Sequence, residues 1–185
     1  MNESHLIESF VSSQEIFDGR ILHLFDDKVL LPNGQSASRE VIRHVGAVCV
    51  IPLLSDGRVI VERQFRYPIN QVMTEIPAGK LDSPDEDPLE AAKRELREET
   101  GYVADRFIHL GVFYPAAAYC DEKINMYLAL DLHEGDQDLD PDEFLTVMTV
   151  PLQELVDDVM SGKITDAKTQ TAVLKAHYLL QNGKI

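Results

Sequence analysis

The sequence predicts an α/β protein in which strands alternate with helices behind a β-rich N-terminal extension. Three observations lead there. Residues 46–54, GAVCVIPLL, form a nearly continuous apolar run of strand length, which suits a sheet covered on both faces. Residues 88–100 carry helix punctuation at both ends, Asp87-Pro88 before and Gly101 after. Residues 1–43 contain two turn signals, Asp18-Gly19 and Pro32-Asn33-Gly34, between short apolar stretches.

The elements follow in order. Residues 15–24 and 25–31 read as strands turned near Asp18-Gly19, and 38–44 return as a third after Pro32-Asn33-Gly34. The apolar run turns at Asp56-Gly57 into a second strand at 58–64. Pro77-Ala78-Gly79 reads as a strand end entering a tight loop. Asp87 then caps a helix, Pro88 suits its first turn, Glu90 adds favourable negative charge, and Gly101 stops it. Leu89, Ala92 and Leu96 give that helix a face to bury. Residues 107–114 and 124–130 are strands around a loop. Residues 151–160 place Leu152, Leu155, Val156 and Val159 at helical spacing, and Gly162 ends that helix. Asp166 caps a last helix whose Ala172, Leu174, Leu179 and Leu180 are expected to be buried as it covers the sheet.

Composition limits the function. With 185 residues, 44% of them hydrophobic, the chain is expected to form one substantial core. A net charge of −15 argues against a nucleic-acid partner and requires metal ions and placed arginines for any anionic substrate. Cys49 and Cys120 are too few for a disulfide scaffold and read as two buried thiols in a reducing compartment. No signal segment or long apolar run is present, so a soluble, cytoplasmic protein without membrane contact is expected.

The chemistry concentrates in one helix. Arg94-Glu95-Leu96-Arg97-Glu98-Glu99 puts three carboxylates within five residues, with Glu95 and Glu99 as i,i+4 neighbours. Like charges at that spacing cost roughly 0.2–0.5 kcal/mol per pair. A hard divalent cation would turn that cost into binding, since Mg²⁺ takes carboxylate and phosphate oxygens. A solvated acidic helix is the alternative. Residues 134–143, EGDQDLDPDE, hold six more acids. A calcium loop fails there, because Pro141 stands where glycine is needed and Val147 where glutamate is needed. A disordered acidic loop is the simpler reading for most of them.

The same residues resemble the Nudix hydrolases, whose pattern is GX5EX7REUXEEXGU with U a bulky apolar residue. From Glu86 onward the match is complete through Gly101-Tyr102. The one departure is that six residues, not five, separate Gly79 from Glu86. A loop absorbs one insertion cheaply. The resemblance implies a Nudix α/β/α sandwich with a mixed β-sheet, divided as residues 1–43 for the extension and 44–185 for the hydrolase domain. It also implies metal binding by Glu95, Glu98, Glu99 and the Ala78 carbonyl, with Mg²⁺ as the ion and Mn²⁺ as a substitute. Arg94 and Glu86 would support the glutamates.

Further segments are similar to the ADP-ribose pyrophosphatase branch. Arg63-Gln64-Phe65-Arg66-Tyr67-Pro68 ahead of Glu75-Ile76-Pro77-Ala78-Gly79 places Arg66 to bind a substrate phosphate, or else to pair with Glu75 or another surface acid. Arg39 and His44 lie where that branch contacts the nucleotide. Tyr114-Pro115 and Asp121-Glu122 match its YPSPGFSDE segment, which adds Glu122 as a substrate contact. Ala116-Ala117-Ala118 replaces the SPG tripeptide and leaves the specificity open. Glu143-Phe144-Leu145-Thr146-Val147 resembles a strand start whose glutamate acts as metal ligand or as base, so Glu143 joins Glu98 as a candidate catalytic residue. Ile164-Thr165-Asp166-Ala167-Lys168-Thr169 resembles the opening of the branch's last helix.

The implied reaction is hydrolysis of a nucleoside diphosphate linked to a second group, with ADP-ribose first and UDP-sugars or GDP-mannose as alternatives. A homodimer through the N-terminal strands is implied as well. A non-catalytic nucleotide-binding module would be signalled by loss of a motif acid, and none is lost. An acidic interaction protein would show no Mg²⁺-dependent stabilisation.

Overall fold

A computed structural model describes every residue except Met1, Asn2, Asp140 and Asp142, the last two from the acidic segment. The chain divides into two compact units, Met1–Val45 with Tyr114–Lys123, and Gly46–Phe113 with Ile124–Ile185.

The first unit is an antiparallel meander of β1 (Ser9–Asp18), β2 (His23–Leu30) and β3 (Ser36–Arg43). Both turns fall where the sequence places them. Gly19 N–H donates to Leu22 O at 2.9 Å, and Leu31 N–H to Gln35 O at 2.8 Å, with Gly34 at φ +83° between them. β1 begins earlier than expected, at Ser9. Loop 114–123 is tied to β3, because Ile42 N–H donates to Tyr119 O at 2.8 Å and Asp121 N–H to Ile42 O at 3.1 Å.

The second unit contains β4 (Ala47–Pro52), β5 (Arg58–Arg66), β6 (Gln71–Glu75), β7 (Ala78–Lys80), α1 (Pro88–Thr100), β8 (Tyr102–Phe113), β9 (Ile124–Glu134), β10 (Leu145–Pro151), α2 (Leu152–Met160) and α3 (Ala167–Gln181). One sheet has the order β7-β4-β9-β8 and is mixed, since β4 runs parallel to β9. The other, β10-β5-β6, is antiparallel. Cys49 and Ile51 of β4 pack with Val59, Val61 and residues of α2 and α3, while Val48 and Val50 pack against Ala91, Ala92 and Leu96 of α1. β4 is therefore covered on both faces, which explains its unbroken apolar run.

Helix α1 forms as its punctuation predicts. Asp87 accepts the Leu89 N–H at 2.8 Å, and Gly101, at φ +73°, returns its N–H to Arg97 O at 2.9 Å. Leu96 is fully buried and contributes roughly 1.5–3 kcal/mol. Asp166 caps α3 by accepting the Thr169 N–H at 2.9 Å.

Three further details depart from expectation. β6 has no strong sequence signal, because it is short and follows a 3₁₀ turn at Tyr67–Ile69 that ends on Asn70 at φ 53°. Leu174 is exposed, and Val173 and Ala176 fill the α3 interface instead. Cys49 is buried but Cys120 is only half-buried. Among the described residues no helix is long and apolar enough to cross a membrane.

Candidate functional site

The acidic helix meets β7 at a cavity of about 410 Å³, lined by Ala78, Gly79, Glu95, Glu98, Glu99 and Glu143 among others. Backbone pairing fixes its floor: Val50 N–H donates to Pro77 O at 2.9 Å, and Ala78 pairs with Cys49. Helix α1 closes against this floor because Gly79 has no side chain. A Cβ there would overlap the carboxylate carbon and both oxygens of Glu95. That close approach is the physical reason for glycine at this position.

Arg94 organises the acids. Its Nη1 donates to Glu95 at 2.7 Å and to Glu98 at 3.2 Å, its Nε to Glu86 at 3.3 Å, and its Nη2 to the Lys80 carbonyl at 3.2 Å. Glu86 accepts the Asp82 N–H at 2.6 Å, which ties down the loop holding the extra residue. Glu99 accepts the Ala78 N–H at 2.8 Å. Burial pushes the Glu95 carboxyl up to about 7, against the pull of Arg94. Burial also raises Glu99, reinforced by the neighbouring charges of Glu62, Glu95 and Glu143. Burial opposes the Arg94 charge, but its bonds to Glu86 and Glu95 outweigh this and raise its pKa.

The acidic segment is anchored where it is described. Asp138 N–H donates to Glu98 O at 3.0 Å and Gln137 Nε2 to Glu99 O at 2.5 Å, so the segment satisfies carbonyls at the end of α1. It delivers Asp138 and Glu143 to the cavity.

The potential donors are carboxylates and a backbone carbonyl, an all-oxygen set that suits a hard divalent cation. Among the described residues no three acids already converge closely enough to enclose an ion. The bonds from Arg94 and Ala78 hold the carboxylates apart, and an ion would have to replace them.

The remaining expected site residues lie elsewhere. Arg66 forms a bidentate pair with Glu75, Nε at 2.7 Å and Nη2 at 2.8 Å. This is the carboxylate pairing the sequence offered beside a phosphate contact. Two of the five N–H donors on the guanidinium are so used. Arg39, His44 and Glu122 belong to the first unit. Arg39 pairs with Glu8 and lines a cavity of about 430 Å³ with Tyr114, Ala117, Ala118, Tyr119 and Asp121. His44 donates its backbone N–H to Asp121 at 2.7 Å, and Glu122 is half-buried.

Two residues went unread in the sequence. Lys168 closes an ion pair with Glu75 and another with Asp166 at 3.1 Å. Glu62 is fully buried on β5, directly across from Glu75 on β6. Alternation offered a signal for it, since Glu62 shares a strand face with the apolar Ile60.

Comparison with known proteins places the chain. The NUDIX domain profile matches residues 43–171, and the Nucleoside diphosphate sugar hydrolase N-terminal domain profile matches residues 10–42. The chain belongs to the Nudix hydrolase family. It is similar to the ADP-ribose pyrophosphatase of Bacillus subtilis, 39% identical over 170 residues that cover 91% of each protein. It is also similar to the Methanol dehydrogenase activator of Bacillus methanolicus, 39% identical over 168 residues and 90% of each. A solved structure described as that of an ADP compounds hydrolase matches with a TM-score of 0.84 at 24% identity, covering 96% of this chain and 97% of that one. That last likeness concerns the fold, which is the Nudix α/β fold with its strand-rich N-terminus. The protein is a Nudix pyrophosphohydrolase.

Proposed function

We propose that the protein hydrolyses the pyrophosphate bond of a nucleoside diphosphate joined to a second group, with ADP-ribose preferred and Mg²⁺ required. Water attacks one phosphorus, and ADP-ribose leaves as AMP and ribose 5-phosphate. The observation that carries this reading is the cavity bringing Glu95, Glu98, Glu99 and Glu143 together beside Ala78. The 39% identity to the B. subtilis ADP-ribose pyrophosphatase supports the substrate.

Glu95, Glu98, Glu99 and the Ala78 carbonyl would hold Mg²⁺, or Mn²⁺ in its place. When bound, the ion supplies charge neutralisation at the phosphoryl oxygens and a more acidic water. Glu98 and Glu143 are the catalytic carboxylates, Glu143 taking the proton of the attacking water. Arg94 orients Glu95 and Glu98 by its salt bridges until an ion enters. Arg66 gives the phosphate the guanidinium donors not used on Glu75. Arg39, His44 and Glu122 contact the nucleotide, and the N-terminal strands, with Phe10, Val11 and Phe17 exposed, form a homodimer. The expected compartment is the cytoplasm.

A second substrate reading, a UDP-sugar or GDP-mannose, is favoured by Ala117 and Ala118 lining the 430 Å³ cavity where the ADP-ribose branch carries its SPG tripeptide. A phosphate-coupled assay with Mg²⁺ on ADP-ribose, UDP-glucose, GDP-mannose and diadenosine compounds separates the readings. ADP-ribose should be cleaved fastest. A sugar nucleotide ahead of it keeps the chemistry and moves the specificity, while no cleavage of any compound defeats the proposal. Light scattering on the eluted protein checks the dimer.

A further inference from the structure

Glu62 is fully buried, and neither of its carboxylate oxygens has a hydrogen-bond partner. An ionised carboxylate in that position costs several kcal/mol unless a cation compensates it. Two cations stand near, Lys168 and Arg66, but both are bonded to Glu75, and Lys168 also pairs with Asp166. The other charged neighbours that act on Glu62 are Glu75 and Glu143, and Glu62 in turn acts on Glu99. Burial pushes the Glu62 carboxyl up to about 8, so it stands largely protonated on the buried side of the acidic cavity without lining it.

Its place in the sheet holds it there. β5 is the central strand between β10 and β6, with Glu62 opposite Val147 on one side and Glu75 on the other. With Lys168 and Arg66 engaged by Glu75, the cavity side, where Glu99 and Glu143 act on Glu62, is the direction from which a donor can come. Mg²⁺ keeps several of its waters when protein-bound, and those waters donate hydrogen bonds.

We propose that Glu62 is a positioning residue of the cation site, accepting a hydrogen bond from a water carried by the bound divalent ion on the side of Glu99 and Glu143. This rests on the reading of the acidic cavity as a divalent-cation site. Partners of that kind typically govern about 10–100-fold of metal affinity.

The test is Mn²⁺ titration by electron paramagnetic resonance, with metal-free thermal unfolding, on the wild type, Glu62→Gln and Glu62→Val. Both variants should bind Mn²⁺ about 10–100-fold more weakly. Without metal, both should unfold at the wild-type temperature or above it, because a buried carboxyl without hydrogen-bond partners has been removed. Wild-type affinity in both variants would overturn the role of Glu62 alone. A lower metal-free unfolding temperature, or failure to fold, would also overturn it, since Glu62 would then be stabilising the fold by itself. A wild type that binds no Mn²⁺ would overturn the cation site together with this inference.

Discussion

Glu75 and Glu99 are both nearly inaccessible, at 1% and 4% exposure, yet the protein treats their charges in opposite ways. Glu75 receives two N–H bonds from Arg66 and the ammonium of Lys168. Burial works against its charge, but those cations prevail and hold its pKa below the ordinary carboxylate range. Glu99 receives the Ala78 backbone N–H and faces other acids, which leaves its pKa raised. One cluster is neutralised from within and fastens α3 to β6. The other meets a cation through Glu95 and Glu98, on Arg94, while Glu99 is pushed toward its neutral form. Burial alone therefore does not single out a candidate functional acid; burial with a raised pKa in a cavity does.

Breaking each cluster should separate stability from activity. The largest expected effect is on turnover: Glu98→Gln or Glu99→Gln should cut hydrolysis by about 10²–10⁴-fold, read from initial rates at saturating Mg²⁺. Wild-type rates in either variant would remove the basis for the catalytic reading. Glu75→Gln should act on the fold instead, costing about 3–5 kcal/mol in a denaturant titration because it removes the buried carboxylate that Arg66 and Lys168 share and leaves the Lys168 ammonium with Asp166. Metal-free Glu99→Gln should show no such loss, and a comparable loss there would erase the contrast.

Gly79→Ala should fall between these. The added Cβ displaces the flexible end of Glu95, so the fold survives while activity drops about 10–100-fold, measured as kcat/KM. The two clusters should also respond oppositely to pH. Glu75 has a lowered pKa, so its contribution is present above the ordinary carboxylate range and is lost as pH falls through its folded value. Glu95, raised to about 7, favours the fold while protonated, and that contribution is lost as pH rises toward 7. Metal-free unfolding temperature should therefore decline between pH 5 and 8, and Mg²⁺ should flatten the decline. The smallest effect is Asp87→Ala, about 1 kcal/mol by thermal unfolding from loss of the α1 cap.

The reach of the sequence followed the range of the interactions. Caps, turns and the two-sided apolar strand were legible because neighbours within a few residues decide them. Helix α1 and its acids could be read for the same reason, as could the strand end at Pro77-Ala78-Gly79, although Gly79 itself pairs within β7 and the overlap with Glu95 that requires glycine there appears only in three dimensions. Lys168 sits 93 positions from Glu75, and its motif alone suggested only a helix covering the sheet. β6 escaped notice because its residues are polar enough for a loop and become a strand by pairing with β5. Glu62 was hidden for a related reason: a lone acid ending an apolar strand ordinarily marks the strand's exposed end.

Arg94 has one more consequence. By bonding Glu86, Glu95 and Glu98, it serves as a resident counter-ion for the acidic helix. A chain that carries its own positive charge to this place need not unfold when divalent ions are scarce. Chelation should then silence the enzyme and leave it folded, so the free magnesium of its surroundings would set its rate without setting its abundance.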